Sequence, residues 1–66
     1  MKVDKVKMAC EIARQNTNQS EIAKKCGLHR KTVNNAYNGR SCSKRTVELI
    51  SNALNIPPNN LVVPEV

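Results

Sequence analysis

The run from Asn18 to Asn38, NQSEIAKKCGLHRKTVNNAYN, decides how this chain folds. Asn18 with Glu21 has capping-box spacing, Asn standing in for the usual Ser or Thr, so the pair predicts a helix start. Ile22, Ala23 and Cys26 give that short helix a buried side. Gly27 then falls where a left-handed residue can close a helix without a β-carbon penalty. Leu28 and Val33 have the spacing of a hydrophobic staple around a cap at His29, and predict a second helix over about Arg30 to Asn38 with Val33, Ala36 and Tyr37 inward. A connection of only about three residues makes the two helices cross steeply instead of lying antiparallel. The inner residue of the first helix must then be small, and Ala23 stands in that place, ahead of Gly27 and Val33.

Upstream, Asp4 can cap an earlier helix that runs to about Gln15. Val6, Ala9, Ile12 and Ala13 are expected on its inner face, with Met8 and Cys10 at the margins and Lys7, Glu11 and Arg14 opposite. Asn16-Thr17-Asn18 is a polar break. Downstream, Cys42 and Val47 repeat the staple spacing around Ser43, a good cap for a helix of about Lys44 to Leu54. Val47, Ile50, Ala53 and Leu54 make its inner face, and Asn55 with Pro57 and Pro58 ends it. A last turn at about Pro58 to Val62 lets Leu61 close the core, leaving 63–66 as a short tail. There is no internal repeat, low-complexity segment or alternating strand pattern. The expectation is an all-α domain over residues 1–66, compact, with four to five helices and a helix-turn-helix at about 19–38.

A chain of 66 residues has a marginal core, since domains of this size bury only about 60% of their unfolded surface. With no Phe, no Trp and one Tyr, that core is built from Leu, Ile, Val, Ala, Met and Cys. Cys10, Cys26 and Cys42 cannot all pair within the chain and lack zinc-site spacing, which points to a reducing, cytoplasmic compartment. No apolar run approaches the roughly 18 residues of a spanning helix, and the first residues do not open a signal peptide.

Charge is more informative. Eleven Lys and Arg against five Asp and Glu leave a net charge of +6. No acid falls between Ile22 and Val47, whereas Lys24, Lys25, Arg30, Lys31, Arg40, Lys44 and Arg45 all do. A field of one sign suits a polyanion, nucleic acid first and an anionic membrane surface second; the plain alternative is a solvated basic face.

The sequence from Gln19 to Leu28, with Arg30, Thr32, Val33 and Asn38-Gly39-Arg40, resembles the Cro and lambda-repressor-like family, also called the Xre family. The likeness continues through Thr46-Val47-Glu48-Leu49-Ile50 and Ala53-Leu54, and covers about Val6 to Val62. It departs at His29, where Ser or Thr is usual, in a connection after Gly39 one residue shorter, and in a compressed join between the first two helices. The resemblance implies a lambda-repressor-like fold whose third helix enters the major groove of double-stranded DNA, its first turn at the base edges.

The residues agree with that implication. On a helix whose Val33, Ala36 and Tyr37 face in, Arg30, Lys31, Asn34 and Asn35 face out. Arg or Lys can donate to guanine O6 and N7, and Asn can pair bidentately with adenine. Arg30, Lys31 and Asn35 are the first expected base readers, with Asn34 next. By family likeness Gln19 meets a phosphate at a helix start, and Thr32, Asn38, Arg40, Lys44 and Arg45 are further phosphate candidates on the same side. Asn38 has an alternative role in ending its helix, and Lys24 and Lys25 one as solvated charges.

Other classes fit less well. One His with no acid near it in sequence argues against an enzyme, and the Cys26-x2-His29 pair has only Cys10 and Cys42, both read as packed hydrophobes, to complete a metal site. Single-stranded RNA modules need several stacking aromatics. The stronger rival is a helix-turn-helix used for protein contact, as in an antitoxin-like or anti-repressor partner, which calls for an apolar or acidic outer face. The expected function is therefore a sequence-specific DNA-binding transcriptional regulator, repressor-like and of bacterial or phage type. It would act as a homodimer on its operator, with no cofactor, no metal, no small-molecule ligand and no membrane partner. Leu61, Val62 and Val63 are the expected self-association patch, with covering the core as their alternative role.

Overall fold

The computed structural model describes residues 1–63. It contains α1 (Lys5–Arg14), α2 (Gln19–Cys26), α3 (Arg30–Tyr37) and α4 (Lys44–Leu54), followed by a 3-10 turn at Pro58–Asn60. The all-α expectation holds, with each helix boundary within a residue or two of the one the sequence predicts. The expected tail beyond Val63 lies outside the described residues.

Local chemistry sets most of these boundaries. Asp4 Oδ1 accepts the backbone N–H groups of Val6 and Lys7 at 3.0 and 3.2 Å. Asn18 Oδ1 accepts that of Glu21 at 2.9 Å, and Ser43 Oγ that of Thr46 at 3.2 Å. Each satisfies an amide that the start of a helix leaves without an intrahelical partner. Half of the capping box is formed, because the Glu21 carboxylate lies toward Lys24 at 4.0 Å. His29 caps α3 with its backbone alone.

All four helices stop in the same way. Asn16, Gly27, Gly39 and Asn55 take positive φ. The residue after each donates its backbone N–H back across five residues: Thr17 to Ile12, Leu28 to Ala23, Arg40 to Asn35 and Ile56 to Ser51. These are Schellman-type closures, and Asn is the side chain that best tolerates the left-handed position when glycine is absent.

The core consists of Val3, Met8, Ile22, Ala23, Val33, Ala36, Val47, Ile50, Leu54 and Leu61. Ser51 is buried among them and keeps its hydroxyl satisfied by donating to the Glu48 carbonyl at 2.9 Å. Fully burying a Val, Leu, Ile or Met side chain contributes about 1.5–3 kcal/mol.

The inner face of α1 is turned from the expected one. Ile12 packs on the core and Ala9 is half-buried, as expected, but Met8, expected at the margin, is fully buried, whereas Val6 is 71% exposed and Ala13 is exposed. Met8 and Ile12 are themselves one turn apart and offer the core more apolar surface than Val6 and Ala13. The rotation also brings Gln15 inward, where its Nε2 donates to the Leu54 carbonyl and to Glu11 Oε2.

A second difference lies at the amino end. Residues 1–3 form an extended strap between two distant parts of the chain. Lys2 makes an antiparallel bridge to Ser41, and Val3 makes one to Val62. The Cys42 N–H donates to the Met1 carbonyl at 2.7 Å, the Val63 N–H to that of Lys2 at 2.9 Å, and the Asp4 N–H to that of Leu61 at 2.7 Å. Val3 is thereby buried to 1% exposure. Leu61 is fully buried as well, so it belongs to the core and is removed from the expected self-association patch; Val62 is half-buried and Val63 remains 40% exposed.

Candidate nucleic-acid interface

The turn between α2 and α3 is built by Gly27, with φ 71° and ψ 25°. A β-carbon at Gly27 would meet nothing within 4 Å, so glycine is there for its backbone handedness and not for space. The small residue at the crossing is Ala23, 6% exposed, with Ile22 beside it at 1%. Leu28 packs on the core from the turn itself. Beyond it, Val33 and Ala36 are buried and Tyr37 packs against the core, which fixes the rotation of α3 about its own axis.

That rotation leaves Arg30, Lys31 and Asn34 exposed, and together they line an open depression of about 320 Å³. Asn35 is half-buried. Its carbonyl accepts the Arg40 N–H at 3.1 Å where the chain turns back after Gly39. Of the four expected base readers, the structure thus gathers three, and Asn34 stands ahead of Asn35 in accessibility.

Among the expected phosphate residues, Gln19 opens α2 and is half-buried, as is Thr32 on α3. Asn38 is exposed at the end of α3, while the left-handed residue there is Gly39. Arg40, Lys44 and Arg45 are exposed on either side of the Ser41–Cys42 loop, the last two in the first turn of α4.

Helix electrostatics separate these cations from the others. The partial positive charge at a helix N-terminus disfavours Lys and Arg there, and the C-terminus favours them. Arg14 lies in the last turn of α1, and Lys24 and Lys25 in the last turn of α2, while Glu21 is in the first. These placements serve the free fold. Arg30 and Lys31 begin α3, and Lys44 and Arg45 begin α4, with no acid in either first turn. Among the described residues, none of these four forms an ion pair, unlike Arg14 with Glu11 and Lys24 with Glu21. Four cations placed against two helix dipoles, without a carboxylate, are a local conflict of the kind found at functional sites. A bound polyanion relieves it.

The family comparison agrees with this geometry: a model of the helix-turn-helix family HTH_3 matches residues 6–61. The chain belongs to the Cro/C1-type, Xre-like helix-turn-helix family. Neither a curated protein nor a solved structure matches it. A helix-turn-helix protein of this family is a DNA-binding regulator, and the family is not typically enzymatic. In this helix-turn-helix protein, α2 and α3 form the motif, and no helix among the described residues is long and apolar enough to cross a membrane.

Two of the three cysteines have structural settings. Cys26 Sγ donates to the Leu49 carbonyl at 3.2 Å, and burial pushes its thiol pKa up. Cys42 Sγ donates to the Met1 carbonyl at 3.5 Å. Cys10 is exposed on α1, so the expectation of a packed hydrophobe does not hold there, because the turn of α1 that buries Met8 leaves it outside the core.

Proposed function

We propose that the protein is a sequence-specific, double-stranded DNA-binding transcriptional repressor that occupies an operator and blocks polymerase. The observation that carries this reading is the face of α3: Arg30, Lys31 and Asn34 exposed around one depression, on a helix whose rotation is fixed by Val33 and Ala36. Arg30, Lys31 and Asn34 read base edges in the major groove, with Asn35 reaching them from the flank. Gln19, Thr32, Asn38, Arg40, Lys44 and Arg45 hold phosphates and set the register. A basic, amide-rich exterior disfavours the rival use of this motif for protein contact. No cofactor, metal or small ligand has a part in this reading, and the place of action is the bacterial or phage-infected cytoplasm.

A module this small makes few contacts, so the working form is a homodimer on two half-sites about 34–36 Å apart. With Leu61 in the core, self-association falls to Val62 and Val63. Selection of bound duplexes from a random pool tests the function. A palindromic consensus supports sequence-specific dimeric binding, and a pool with no enriched sequence contradicts it.

A further inference from the structure

We propose that Lys2 is an additional phosphate-binding residue, carried to the α3–α4 loop by the N-terminal strap. This deepens the DNA-binding reading and rests on it. Lys2 lies far in sequence from the loop, yet it is the direct bridge partner of Ser41. Its backbone is held on both sides. Toward the loop, the Met1 carbonyl accepts the Cys42 N–H at 2.7 Å and the terminal ammonium donates to the Cys42 carbonyl at 3.0 Å. Away from it, the Lys2 carbonyl accepts the Val63 N–H at 2.9 Å.

The direction of the side chain follows from the extended backbone. Successive residues point to opposite faces, and Val3 is buried to 1% exposure, so Lys2 points away from the core and is exposed. Bridge partners share a face, and Ser41 is likewise exposed. Lys2 therefore stands on the outer side of the segment that bears Arg40 before it and Lys44 and Arg45 after it. Among the described residues, none of these four cations has an ion-pair partner. Gathering like charges raises the self-repulsion of the free protein, and a row of phosphates removes it. Because the strap already orders the Lys2 backbone, a phosphate contact has only the side chain left to immobilise.

The experiment measures the affinity of the full chain for a selected duplex and for a random duplex across a salt series, with Lys2→Gln and Lys2→Arg beside the unaltered protein. The expected result is that Lys2→Gln weakens both duplexes by the same factor and lowers the slope of log affinity against log salt by about 1, while Lys2→Arg restores the slope. Unchanged slope in Lys2→Gln, with binding otherwise intact, overturns the role of Lys2 and leaves the DNA-binding reading standing. An unaltered protein that binds no duplex overturns both. A second readout does not depend on the variants: with the lysines ¹³C-methylated, the Lys2 side-chain signal is expected to move on adding random duplex, and a signal that stays in place overturns the proposal.

Discussion

The backbone N–H of Leu28 donates to the carbonyl of Ala23 at 3.0 Å, across a left-handed Gly27. This one closure ends α2, starts the turn and sets where α3 leaves it, so the aim of Arg30, Lys31 and Asn34 depends on a backbone angle.

Gly27→Ala therefore meets no steric clash but pays for the left-handed conformation. It is expected to destabilise the domain by about 1–2 kcal/mol, and Gly27→Asn by less. In a domain of this size each kcal/mol lowers Tm by about 4–8 °C. Thermal unfolding followed by circular dichroism checks the order Gly, Asn, Ala. Equal Tm values for all three would show that the turn is not held in that conformation.

The cations at the starts of α3 and α4 oppose the helix dipoles, so stability and binding should move in opposite directions. Lys44→Gln or Lys31→Gln is expected to stabilise the free domain by about 0.3–1 kcal/mol at low ionic strength, an effect that salt screens, while weakening DNA binding. Urea titration paired with duplex binding reads both. Variants that lose stability and affinity together would assign these residues to the fold instead.

Base and phosphate contacts have different signatures. Arg30→Ala is expected to cost about 1–3 kcal/mol on the selected duplex and to relax preference at particular base pairs. Lys44→Ala is expected to weaken selected and random duplexes alike and to reduce the salt slope by about 1. Competition binding on both duplexes separates the two. An Arg30→Ala loss that is equal on both would remove Arg30 from base readout.

Glu11 makes an acid-limb prediction. A hydrogen bond from Arg14, reinforced by one from Gln15, holds its carboxyl below the usual value of 4.5. A carboxylate depressed in the folded state stabilises the fold above its unfolded pKa, and that contribution disappears as pH falls through the folded value. Glu11→Gln should accordingly narrow the gap to the unaltered protein below about pH 4.5, relative to pH 7. Tm measured from pH 2 to 7 checks it; a gap that is constant with pH would show that Glu11 does not titrate against these partners.

Helix starts and stops were legible in the sequence because their chemistry is local: Asp4, Asn18 and Ser43 cap, and Gly27, Gly39 and Asn55 close. The face of α1 was not. Ile12 satisfies a helical period with Val6 and Ala13 on one side or with Met8 on the other, and the choice is made by distant partners, among them the Leu54 carbonyl that receives Gln15. Three extended residues are too few to show a period of two, and the strap's partners, Ser41 and Val62, lie far along the chain, so the placement of Lys2 emerges only in the folded structure. At the site, outward Arg30, Lys31 and Asn34 follow from the inward positions of Val33 and Ala36. The lower exposure of Asn35 accompanies the return of the chain after Gly39, which helix periodicity alone does not describe.

In the proposed complex the first turn of α3 meets duplex DNA. Titration of the ¹⁵N-labelled protein with a selected duplex at low ionic strength reads that contact residue by residue. The backbone amide signals of residues 29–38 are expected to shift most, followed by those of residues 40–45, with α1 signals nearly fixed. Shifts confined to α1, or signals of residues 29–38 unmoved at saturating duplex, would contradict it.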